Sequence, residues 1–94
     1  MAGRPLEWSR LAERDYLSAL AYLAEVAGEA IALRVLERTE KALRLISRQP
    51  DIGTPGRSAG TREYAVAHTG HTIIYRVAAR RIVILRYWHQ RRDI

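Results

Sequence analysis

The stretch "TREYAVAHTGHTIIYRVAARRIVILRYW" (residues 61–88) decides the fold. It divides into three runs of β-branched and aromatic residues, 61–68, 71–78 and 81–88, separated by Thr69-Gly70 and Ala79-Arg80. Such runs, broken by short turn signals, predict a three-stranded antiparallel meander. With Thr69-Gly70 as a two-residue turn, Val66 falls opposite Ile73, Tyr64 opposite Tyr75, and Arg62 opposite Val77. Glu63 and Arg76 then form a cross-strand ion pair on the other face. The last hairpin is less constrained, because moving its turn by one residue exchanges the faces of Arg86 and Tyr87.

Working outward, "QPDIGTPGRSAG" (49–60) is rich in Pro and Gly and reads as a loop without helix or strand. Before it, residues 29–48 place Ala32, Val35, Thr39, Ala42 and Ile46 at helical spacing, reinforced by Leu36 and Leu43. Residues 10–27 form an earlier helix with Ser9 as its N-cap and Gly28 as its stop. One intervening residue makes the two helices an antiparallel hairpin. "RPLEWS" (4–9) alternates at Leu6 and Trp8 and reads as a short first strand. The expected fold class is α+β: a short N-terminal strand, an antiparallel helical hairpin, then a three-stranded antiparallel meander, as a single domain over 1–94 with the helices on one sheet face.

The net charge of +6 is unevenly placed. Residues 1–56 carry eight Arg or Lys against eight Asp or Glu, whereas residues 57–94 carry eight Arg against Glu63 and Asp93. The C-terminal part therefore holds the whole excess, which favours a polyanionic or acidic partner. The chain has no cysteine, so disulfides and thiolate metal sites are excluded, and a reducing interior is expected. No apolar run approaches the roughly 20 residues that span a bilayer. The expectation is a soluble cytoplasmic protein with no membrane contact.

Clustered carboxylates for a catalytic metal are missing from the basic part, and no Gly-rich loop precedes a helix. No metal and no cofactor are expected. Arg, His and Tyr remain, and these can support metal-independent RNA cleavage. A base activates the 2′-OH, a guanidinium neutralises the phosphate, and an acid protonates the leaving oxygen. His89 is the candidate proton carrier, set against a solvated histidine at a strand end. Arg62 is a candidate phosphate contact, set against a surface salt bridge. Tyr64 and Tyr75 suit base stacking, but a cross-strand core pair is the better reading. Trp8 and Trp88 read as packing, and Arg91 and Arg92 as either nucleic-acid contacts or a solubilising tail.

Taken in order, "PDIGTPGR", "GTRE", "IIYRV" and the ending "ILRYWH" resemble the RelE/ParE superfamily of toxins from bacterial type II toxin–antitoxin and plasmid-stabilisation modules. "LEWSRLAERDYLSALAYLAE" is similar to that superfamily's first strand and helix, so the likeness covers essentially the whole chain. The resemblance implies a toxin neutralised by a cognate antitoxin, expected to be acidic and to wrap the toxin. It also implies one of two targets: mRNA cut on the ribosome, as in RelE-like members, or DNA gyrase inhibited without catalysis, as in ParE-like members. Arg62 of "GTRE" corresponds to a phosphate-binding arginine of ribonuclease members, and His89 to their C-terminal histidine. The ending "WHQRRD" also fits the gyrase-directed branch, and the loop before "GTRE" has Arg57 but no lysine. The reading leans toward the ribosome-dependent mRNA endoribonuclease, with gyrase inhibition as the alternative. In that scheme Arg62 and Arg86 hold phosphate, His89 transfers protons, and Tyr75 assists. Arg57, Arg76, Tyr87, Arg91 and Arg92 contact the substrate.

Overall fold

Ser9 joins the first strand, β1 (Leu6–Trp8), to the first helix, α1 (Arg10–Ala27). Its backbone is extended, and its Oγ accepts the Ala12 N–H at 3.0 Å, satisfying one of the helix's free donors. The structure, a computed structural model, describes residues 3–89. Gly28, at φ 96°, closes α1 and opens α2 (Glu29–Arg48), so both helices run as the spacing predicts. The second helix buries Val35, Thr39, Ala42, Leu43 and Ile46. Among described residues of α1 only Ala12 is fully buried, and Leu17, Tyr22 and Val26 remain exposed.

The sheet has five strands, not four. β2 (Thr54–Pro55), β3 (Arg62–Ala65), β4 (His71–Val77) and β5 (Ile82–His89) join β1 in the order β1-β5-β4-β3-β2. β1 runs parallel to β5, with Leu6 beside Ile82 and Trp8 beside Ile84, and the remaining pairs are antiparallel. The short β2 corrects the expectation that residues 49–60 hold no strand. Pro55 is tolerated because it sits on the sheet edge, where its missing N–H leaves no gap in the ladder.

The first hairpin also corrects the expected register. Tyr64 faces Ile73, Arg62 faces Tyr75, and Glu63 faces Ile74, a shift of two residues. A two-residue turn of the I′ type would need positive φ at both Thr69 and Gly70, which a β-branched residue resists. Instead His68 (φ 61°) and Gly70 (φ 77°) take those conformations. The Thr69 Oγ1 donates to the Val66 carbonyl at 2.9 Å and accepts the His71 N–H at 3.0 Å, stapling the wider loop. A two-residue shift preserves every face. It does remove the expected Glu63–Arg76 pair, and Glu63 lies instead 4.0 Å from the Arg57 guanidinium.

Between β4 and β5 the register slips at Ile74/Tyr75: Ile74 pairs with Arg86 but Tyr75 pairs with Ile84, leaving Leu85 as the extra residue of a bulge. Burial along β5 accordingly falls at Ile82, Ile84 and then Tyr87. Tyr87 therefore faces the helices, which answers the question the sequence left open. Ile46, Ile73, Tyr75, Ile82, Ile84 and Tyr87 pack with Ala12, Ala42, Leu43 and Val66 into one core. No helix among the described residues is long and apolar enough to cross a membrane.

Candidate functional site

Where β4 begins and β5 ends, their inward side chains meet α1 in a column of rings. Trp8 stacks on Tyr16 at 5.1 Å, and Tyr16 meets Tyr87 edge-on at 4.9 Å. Tyr87 stacks on His71 at 4.8 Å, and His71 meets His89 edge-on at 5.1 Å. His71 and His89 are register partners, so the pleat itself brings the two imidazoles together. The Tyr87 hydroxyl is held by Thr39 Oγ1 at 2.7 Å. His89 Nε2 packs so closely over Gly70 that a Cβ there would lie 2.9 Å from it.

Beside this column a cleft of about 600 Å³ opens between α1 and the strand ends, lined by Arg14, Asp15, Ser18, Tyr22, His71, Tyr87 and His89 among others. Burial pushes the Tyr16 and Tyr87 hydroxyls up to about 12, which keeps both protonated. Burial, and then the neighbouring His89, lowers His71 below its ordinary 6.5. The cleft floor is thus uncharged and aromatic. Among the described residues no group of three His, Cys, Asp or Glu is placed to hold a metal ion.

Arg86 lies at the cleft's edge and is already engaged. Its Nε and Nη2 donate to the Asp15 carboxylate at 2.8 and 3.0 Å, a bidentate pair, and its guanidinium sits 4.7 Å from the Trp88 ring centroid. Asp15 also accepts the Tyr87 backbone N–H at 3.1 Å. That N–H lies beyond the end of β1 at Trp8, so α1 supplies the acceptor that a longer β1 would otherwise give.

The other residues singled out in the sequence lie elsewhere. Arg62 donates from Nη1 to the Gly53 carbonyl at 2.7 Å and the Asp51 carbonyl at 3.3 Å, fastening the loop after α2. Tyr75 is fully buried: its hydroxyl donates to the Pro50 carbonyl at 2.7 Å and accepts the Gly53 N–H at 2.9 Å. Its hydroxyl thus holds the loop after α2 against the sheet. Tyr87 is 2% exposed and forms part of the cleft floor. Arg62 pairs with Tyr75 while His89 pairs with His71, so four residues of strand and two strand spacings intervene, roughly 16 Å between backbones. Arg57 and Arg76 are exposed, and Arg91 and Arg92 lie outside the described residues.

Sequence reasoning missed Asp15, the bond of the buried Thr39 to Tyr87, and the partnership of His71 with His89. Asp15 carried a signal: it sits one turn after Ala12 and beside Tyr16, on the stripe α1 turns to the sheet. A carboxylate in that position calls for a cationic partner.

The comparisons with known proteins agree with this architecture. The structure is similar to a chain of the chromosomal ParDE system from P. aeruginosa, at TM-score 0.82 and 20% identity over 92% of this chain and 95% of that one. It is similar also to a chain of the toxin–antitoxin complex RelBE2 from Mycobacterium tuberculosis (TM-score 0.62, 24% identity, 93% and 98% covered). A third is from the E. coli DinJ–YafQ toxin–antitoxin complex (TM-score 0.61, 15% identity, 98% of each chain). No curated protein matches the sequence. The family described as the ParE toxin of the type II toxin–antitoxin system, parDE, matches residues 6–94. The chain belongs to that family, the ParE toxins of type II toxin–antitoxin systems.

Proposed function

We propose that this toxin acts by binding DNA gyrase and not by cutting mRNA, and that an acidic cognate antitoxin neutralises it. The observation that carries the reading is the dispersal of the candidate catalytic side chains. An endoribonuclease built from Arg62, Arg86, His89 and a tyrosine needs them around one phosphate. Arg62 and Tyr75 are instead bonded to backbone of the loop after α2, about 16 Å of sheet away from His89. Arg86 is neutralised by Asp15. Inhibition by binding requires no such convergence, and membership of the ParE family favours it. The basic C-terminal part suits both an acidic antitoxin and a target that handles DNA.

The test uses purified toxin in two parallel assays. Supercoiling by gyrase should fall in proportion to added toxin, with message on programmed ribosomes left intact. His89→Ala should keep most of the gyrase inhibition. Message cut on the ribosome, lost with His89→Ala while gyrase runs undisturbed, would overturn the proposal in favour of the endoribonuclease.

A further inference from the structure

The cleft between α1 and the strand ends has a chemistry of its own. Its floor is rigid and apolar: Tyr87 is fixed by Thr39 through its hydroxyl and by Asp15 through its N–H, and His71 stacks on it at 6% exposure. Its rim is accessible. Tyr22 is 65% exposed, and Arg14 and Ser18 are exposed beside it on the same face of α1. The one carboxylate among the described residues of the lining, Asp15, receives two charge-assisted bonds from Arg86. Arg14 therefore sets the sign of the rim. His71 Nδ1, buried in the lining, has no hydrogen-bond partner among the described residues. At about 600 Å³ the space falls inside the range of sites that swallow a bulky side chain or small ligand.

An uncharged aromatic floor, an exposed ring and the Arg14 guanidinium at the rim select an aromatic group that carries a negative charge close by. In an interface, that is the make-up of an anchor residue: a large ring desolvated in a pocket, with an ion pair at its edge. We propose that this cleft seats one aromatic side chain of the antitoxin, with a carboxylate near it in the antitoxin chain pairing with Arg14. The proposal rests on the reading that an acidic antitoxin binds this toxin. What it adds is the place and the chemistry: the anchor lies against Tyr22, His71 and His89, not on the exposed sheet face that carries Arg76.

The experiment measures affinity of the full-length toxin for the product of the reading frame adjacent to its gene. Three toxin variants are compared with the wild type: Ser18→Trp, which fills the cleft from an exposed helix position, its control Ser18→Ala, and Arg14→Glu. Circular dichroism and thermal melting check that each is folded. Ser18→Trp and Arg14→Glu should each weaken binding by tenfold or more, and Ser18→Ala should leave it within twofold. The wild-type complex should also shift the His71 and His89 ring resonances. Wild-type affinity in both Ser18→Trp and Arg14→Glu would overturn the anchor site while leaving the toxin–antitoxin reading intact. Loss with Arg14→Glu alone would overturn the aromatic half of the proposal and reduce the site to a surface charge contact. A short oligonucleotide that displaces the antitoxin and moves the same resonances would assign the cleft to nucleic acid and overturn it. If the wild-type toxin binds no adjacent gene product, the antitoxin reading itself fails.

Discussion

Replacing Thr39 by Val exchanges one hydroxyl for a methyl group at the centre of the molecule and separates a hydrogen-bond effect from a packing effect. Thr39 is fully buried, Tyr87 is 2% exposed, and their hydroxyls are 2.7 Å apart. Valine has nearly the same shape, so packing is kept while the Tyr87 hydroxyl loses its partner where water cannot replace it. An orphaned buried hydroxyl costs about 1–3 kcal/mol. The reverse change, Tyr87→Phe, is milder. The Thr39 hydroxyl can turn to the carbonyl one helical turn back, at Val35, so the loss should be about 0.5–1.5 kcal/mol. With both replaced, neither hydroxyl of the pair is left stranded, and the double variant should be more stable than Thr39→Val alone. The coupling should therefore be at least about 1 kcal/mol, measured by urea unfolding of all four proteins. For a domain of this size each kcal/mol moves the melting temperature by roughly 4–8 °C, so the recovery is readily visible. Additive losses, with the double variant the least stable of the four, would refute the assignment of Thr39 and Tyr87 as a mutually satisfying pair.

Three further outcomes follow from the same structure. Tyr16 and Tyr87 ionise near 12 in the folded chain against 10.0 when free, so the folded state holds protons that the unfolded state has lost. Stability should be level up to about pH 10 and fall as pH rises toward 12; Tyr87→Phe should reduce that fall by up to about 2 kcal/mol, read from urea unfolding at pH 9 and pH 11.5. His71 has the opposite sign: its folded value lies below 6.5, so the unfolded state takes up the proton first, and stability should drop as pH falls below about 6.5. His71→Phe, which keeps the stack on Tyr87, should flatten that acid limb in melts between pH 7.5 and pH 5. Gly53→Ala would press a Cβ to 2.7 Å from the Tyr75 hydroxyl and 2.9 Å from the Glu63 carbonyl. It should cost roughly 1–3 kcal/mol in denaturant unfolding, and an unchanged midpoint would count against the close packing of that loop.

The helices, β1 and the meander were legible because each rests on local signals: Ser9 as a cap, Gly28 as a break, and the stripe from Val35 to Ile46. The first hairpin was harder, since its register depended on whether Thr69 or His68 would accept positive φ. The answer came from two side-chain hydrogen bonds of Thr69 that no periodicity reports. The pairing of β1 with β5 joins residues 76 apart, beyond the reach of any local pattern. The roles of candidate site residues are the least legible in the sequence, for a physical reason. Arginine and tyrosine serve equally to bind a phosphate or to satisfy a carbonyl, and composition cannot tell Arg62 fastening Gly53 from Arg62 holding RNA. Asp15 shows the converse: its type and place on α1 were visible, but its meaning required Arg86 and the Tyr87 N–H.

The bulge at Leu85 bears on how this chain can be aligned with its relatives. Closing the bulge while keeping every residue would restore strict alternation along β5 and turn its end over. Arg86 and Trp88 would point to the helices, and Tyr87 and His89 would point away. Loss of the bulge would thus exchange the groups the strand presents on its two sides with no change in length or composition, whereas deleting Leu85 along with it would keep them. Two sequences that end in a histidine at the same spacing from the core isoleucines therefore place it in the same surroundings only if both carry the bulge. Equating His89 with the terminal residue of another toxin by counting back from the end is safe only after the bulges have been matched.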